Sequence, residues 1–112
     1  MQKYKLRYLP LFYQDADEIV SYIANTLENP KAAQNLIDEI EKAILERSEN
    51  AEAFAKFNSS KERKYPYYRI KVKNFLIFYV VIPEGNEKIM EVRRLLYNRR
   101  DIKNIICFQT TS

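Results

Sequence analysis

Arg69, Lys71, Arg93, Arg94, Tyr97, Arg99 and Arg100 are the side chains of this sequence best suited to chemistry. They lie in one basic, tyrosine-bearing stretch of the second half. Arginine grips a phosphate through two parallel N–H bonds and stabilises charge developing on a phosphorane. A lysine of lowered pKa, or a tyrosine, can move a proton. Such a set would permit metal-independent cleavage of RNA. The same residue types on an exposed sheet face more often bind a partner or are only solvated. Histidine is absent, which removes the commonest general base and every Ser-His or Cys-His arrangement. One Cys and no His leave no transition-metal cluster. A single Gly excludes the glycine-rich phosphate cradles. No cofactor and no metal are expected.

These residues need a sheet to hold them. Residues 67–101 read as apolar, β-branched and aromatic runs cut by Lys73-Asn74 and Pro83-Glu84-Gly85-Asn86, the pattern of an antiparallel meander. In the first run Tyr68, Ile70 and Val72 alternate with Tyr67, Arg69 and Lys71, so one face is buried and the other carries a Tyr-Arg-Lys row. The second, residues 75–82, has no polar position and must be central. The third, residues 88–97, carries Arg93 and Arg94 in its middle. Neighbouring strand residues point to opposite faces, so one arginine faces the core side or a groove and needs a partner there. Glu91 shares a face with Arg93.

The first half supplies a cover. Residues 3–9 alternate Lys3, Lys5, Arg7 with Tyr4, Leu6, Tyr8, a strand that Pro10 should end. It is expected beside the C-terminal strand. Residues 12–27 place Phe12, Ala16, Ile19, Val20, Ile23 and Leu27 on one helical face, with Asp15, Asp17 and Glu18 near the helix start, where the dipole favours acids. Asn29-Pro30 reads as a cap and first helical position for a second helix to about residue 50. So short a link predicts an antiparallel helix hairpin. Ile102, Ile105 and Ile106 have the spacing of a short C-terminal helix.

The 112 residues suit one domain, 1–112, and 46% apolar content is enough for a core without disulfides. The lone Cys107 cannot form an internal bridge. No leader-like segment and no apolar run of spanning length is present, so a cytoplasmic protein without membrane contact is expected. Residues 61–103 hold twelve Lys and Arg against five Asp and Glu, whereas residues 1–60 hold seven against ten. The basic half suits a polyanion or an acidic protein segment, or is a solvated surface.

The order of strand, helix hairpin, meander and basic end resembles the RelE/ParE superfamily of bacterial toxins. The resemblance rests on Tyr67-Tyr68-Arg69-Ile70, on Lys73-Asn74-Phe75-Leu76-Ile77-Phe78-Tyr79, and on Val92-Arg93-Arg94-Leu95-Leu96-Tyr97-Asn98-Arg99-Arg100-Asp101. The last is similar to the superfamily's V-x-x-[IL]-x-[HY]-x-x-x-D ending. The resemblance spans roughly residues 3–106. It implies an α+β fold: N-terminal strand, α-helical hairpin, three-stranded antiparallel meander and short C-terminal helix. It also implies the toxin of a type II toxin–antitoxin module, bound in a hetero-oligomer by a cognate antitoxin.

Two activities occur in the superfamily. RelE-like members cut mRNA in the ribosome, and ParE-like members poison DNA gyrase. Arg69, Lys71 and Arg99 match the basic positions of the nucleases and would be catalytic in that case. Leu76 stands where a nuclease has its middle Arg, and Ile105 where it has a terminal Tyr or His. The balance leans to a gyrase-directed toxin, with Arg93, Arg94, Tyr97 and Arg100 contacting target or antitoxin. A third outcome is a non-toxic remnant that retains only antitoxin binding. Asp101 has a structural reading as a helix cap.

Overall fold

The computed structural model describes residues 4–54, 56–57 and 64–98. The expected C-terminal helix at 102–106, Asp101, Arg99 and Arg100 lie outside the described residues. Five strands form one sheet: β1 (Lys5–Tyr8), β2 (Lys56–Phe57), β3 (Tyr67–Val72), β4 (Phe75–Glu84) and β5 (Glu87–Tyr97), in the order β1-β5-β4-β3-β2. β3, β4 and β5 are the expected meander, and β1 lies parallel to β5 at the expected edge. The two-residue β2 pairs with Tyr67 and Tyr68 and is a fifth strand. It falls in a stretch with no strand-like alternation, so its pairing comes from tertiary contact and not from local pattern.

Pro10 does more than stop a strand. Its fixed φ suits the first turn of a helix, and α1 (Pro10–Ser21) begins there. The helix therefore starts two residues before the expected position. It ends in a π-helical turn, Tyr22–Thr26, closed by Leu27 N–H donating to the Tyr22 carbonyl at 3.0 Å. Glu28 then takes a left-handed φ of 52° and reverses the chain. Asn29 caps α2 (Pro30–Arg47) as expected, its Oδ1 accepting from Ala32 N–H at 3.1 Å.

The hairpin covers one face of the sheet. Phe12, Leu36, Ile40 and Ile44 pack there against Tyr68, Ile70, Val72, Ile77, Tyr79, Met90, Val92 and Leu95. Each large apolar side chain buried this way contributes about 1.5–3 kcal/mol. A second cluster, Tyr67, Leu76, Phe78 and Val80, is buried on the other face. That accounts for the wholly apolar run of residues 75–82 in β4, which is buried on both sides. It also corrects the expected outer row of β3. Tyr67 is 1% exposed, packed edge-on to Phe78 with ring centroids 5.9 Å apart, and only Arg69 and Lys71 of that row are exposed.

Candidate functional site

A bulge decides where the β5 arginines go. Tyr79 pairs with Val92 and Phe78 with Arg94, so Arg93 is the extra residue between them. Strict alternation fails at this point. Val92 and Leu95 both face the helices with two arginines between them.

Arg94 reaches α1. Its Nε and Nη2 donate to Asp15 Oδ2 and Oδ1 at 2.8 and 2.9 Å, a two-pronged buried pair. The same Asp15 Oδ2 accepts from the Leu95 backbone N–H at 3.0 Å. β1 pairs with β5 only as far as Val92, and Leu9 N–H extends that edge by one bond to the Val92 carbonyl. Beyond it the β5 edge has no neighbouring strand among the described residues. Asp15 fills in for that strand at Leu95, which removes an open donor from the edge. The hydrogen bond from Arg94 to Asp15 raises the guanidinium pKa, and burial opposes the rise without cancelling it.

Arg93 lies half-buried on the Tyr67 side of the sheet. Its Nε donates to Glu91 Oε1 at 2.9 Å, and its guanidinium lies 5.9 Å from the Tyr67 ring centroid. Burial works to lower its pKa, but Tyr67 and Glu91 outweigh burial and the net direction is up. The buried Glu91 carboxylate also accepts from Arg7 Nη1 at 3.1 Å, tying β1 to β5. Arg94 and Arg93, both expected to meet a target or partner, are thus held by carboxylates of this chain.

Arg69 and Lys71 are exposed on the face away from the hairpin, paired across the ladder with Phe78 and Leu76. Tyr97 is half-exposed and pairs with Phe75, their rings edge-on at 5.6 Å. Phe75 belongs to the hairpin-side core, so Tyr97 is on the opposite face from Arg69 and Lys71. The structure does not bring these candidates together. Leu76, at the position of the nucleases' middle Arg, is 5% exposed in the second cluster.

Two features escape a reading of the sequence. Its pattern assigns Asp15 to the helix dipole, yet Asp15 is the buried clamp. The spacing from Phe12 and Ile19 puts it on the apolar stripe, which is the available signal. The second is an apolar cleft of about 270 Å³ between α1 and α2, with Tyr8, Phe12 and Tyr13 on one side and Glu41 at its rim. No group of His, Cys, Asp and Glu fit to hold a metal occurs among the described residues. No described helix is long and apolar enough to cross a membrane.

A parallel edge strand, a helix hairpin and a three-stranded meander stitched by Asp15 and Glu91 make an α+β domain of the RelE/ParE toxin type. Residues 6–102 match the family described as the ParE toxin of the type II toxin–antitoxin system parDE, and the chain belongs to that family. Among solved structures, the chromosomal ParDE toxin–antitoxin system from P. aeruginosa is similar, with a TM-score of 0.63 and 15% identity over 87% of this chain and 98% of that one. A likeness at that identity is one of fold. No curated protein matches the chain.

Proposed function

We propose that this ParE-family chain is held inactive by a cognate antitoxin and, when released, poisons DNA gyrase without cutting RNA. The observation that supports this reading is the separation of Tyr97 from Arg69 and Lys71 by the thickness of the sheet. Metal-independent RNA cleavage needs a proton-transfer group and a phosphate clamp on the same scissile bond. The cross-strand neighbours of Arg69 and Lys71 are the apolar Phe78 and Leu76, and Arg94 is engaged by Asp15. The antitoxin's acidic residues would meet the basic strands, and its apolar ones a groove or edge of this domain.

The test takes purified protein to two targets in parallel: gyrase, with supercoiling and cleavage-complex detection, and translating ribosomes on a defined mRNA. Trapped gyrase cleavage with intact mRNA is the expected result. Codon-phased mRNA cuts that vanish in Arg69→Ala and Lys71→Ala would overturn it and restore a nuclease built on Arg69, Lys71 and Arg99. Silence with both targets, alongside tight antitoxin binding, would mark a non-toxic remnant. Replacing Arg99 and Arg100 together by Ala is expected to reduce toxicity without unfolding the domain. Full toxicity in that double variant removes both from the target contact.

A further inference from the structure

The cleft between the two helices combines an aromatic wall, aliphatic side chains and a carboxylate at its mouth. Three aromatic rings meet along its α1 side. Tyr8 lies 5.3 Å from Phe12 and 5.8 Å from Tyr13, and Phe12 lies 5.9 Å from Tyr13, centroid to centroid. Opposite them the cleft is lined by the half-buried Ile37 of α2 and, deeper, by the core residues Ile40 and Ile44. Glu41 is exposed at the mouth and makes no ion pair among the described residues. Tyr13 is 56% exposed, a large area for an aromatic ring to leave in water.

We propose that this cleft is a docking site for an arginine side chain carried by a partner polypeptide. The aliphatic stem fits the isoleucine surface. The planar guanidinium suits the aromatic wall by stacking and cation–π attraction. Its N–H groups would meet the Glu41 carboxylate, which has no ion pair among the described residues. A purely apolar anchor would use the isoleucines and rings but bury an uncompensated carboxylate as the cleft closed. An acidic anchor would meet Glu41 and be repelled. Glu41 is close enough to be felt in the cleft: the Tyr8 hydroxyl is pushed above its ordinary value by burial first, then by Tyr13 and Glu41.

The probe is acetyl-Leu-Arg-Leu-amide, compared with the same peptide carrying citrulline, which keeps the shape and loses the charge. Both are titrated into the full chain while the Tyr and Phe ring resonances are followed by NMR. The arginine peptide should produce saturable shifts at Tyr8 and Tyr13 and bind about three- to tenfold more tightly than the citrulline peptide. Glu41→Gln should shrink that ratio, and Tyr13→Leu should weaken the arginine peptide while keeping the site apolar. Both substitutions are at exposed positions, and an unchanged thermal melt establishes that the variants remain folded. Equal affinity for the two peptides would overturn the proposal in favour of a plain apolar groove. Absence of saturable shifts, or shifts centred on Arg69 and Lys71, would overturn it too. The assay contains neither gyrase nor ribosome, so its outcome is independent of the toxin's target.

Discussion

Asp15→Ala should be among the most damaging single substitutions in this chain that leave the apolar core untouched. The carboxylate holds Arg94 with two bonds and the Leu95 N–H with a third, at 2.8–3.0 Å, and both side chains of the pair are about nine-tenths buried. Removing one partner of a buried ion pair strands the other charge and costs about 3–5 kcal/mol. A domain of this size has a total of about 5–15 kcal/mol. The variant should therefore melt roughly 10–25 °C lower. Asp17→Ala, two residues on and exposed, should change stability by less than about 0.5 kcal/mol. The sharper check is Asp15→Leu combined with Arg94→Met. At this site that double variant leaves no buried charge and only the Leu95 N–H unmet, a loss of about 1–3 kcal/mol. It should be more stable than Asp15→Ala alone. Urea unfolding followed by circular dichroism gives all the values needed. Strict additivity, with a coupling energy under about 0.5 kcal/mol, would refute the clamp.

Three further outcomes are expected. Asn29→Ala removes the acceptor for Ala32 N–H and should cost about 1 kcal/mol in urea unfolding, whereas Asn29→Asp should cost little. Gly85 has φ +62°, and a Cβ added there would meet nothing within 4 Å. Gly85→Ala should therefore destabilise by backbone strain alone, about 1 kcal/mol in the same assay, and Gly85→Asn by less. Burial raises the Tyr79 hydroxyl above its ordinary 10.0, with Arg47 opposing, and burial likewise raises Tyr4, Tyr8 and Tyr68. The folded state thus keeps phenol protons that the unfolded chain releases first. This stabilisation is complete below about pH 10 and is lost as pH rises through the folded values. The urea midpoint should fall above about pH 10, and less steeply in Tyr79→Phe; equal slopes would remove Tyr79 from the effect.

Element types are legible wherever a segment's period matches its burial. β4 is apolar over residues 75–82 and is buried on both faces there, and Asn29-Pro30 caps and opens α2. Boundaries and side-chain destinations are less legible for definite reasons. A π-helical turn ends α1 at Ser21, and nothing in the residue types of Tyr22–Thr26 signals its i to i+5 bond. Alternation points Tyr67 outward, yet the buried row of Leu76, Phe78 and Val80 beside it offers an apolar second face. The period-two rule fails for Arg93 and Arg94 because a single inserted residue at the bulge resets the alternation.

That bulge bears on how much the basic count of this half of the chain says about function. Twelve Lys and Arg in residues 61–103 suggest a strongly positive face. The structure divides those among the described residues by role. Arg94 neutralises Asp15 inside the fold, Arg93 shares the buried Glu91 with Arg7, and Lys73 and Lys88 lie 3.3 and 2.7 Å from Glu39 and Glu52. Exposed ion pairs of the last kind are worth little to stability, but they still reduce the field a polyanion would meet. On the outer face of β3, the exposed basic side chains are Arg69 and Lys71. Two cations on a sheet can orient an acidic segment. Tyr97, the tyrosine among the candidate residues, is on the other side of the sheet from them.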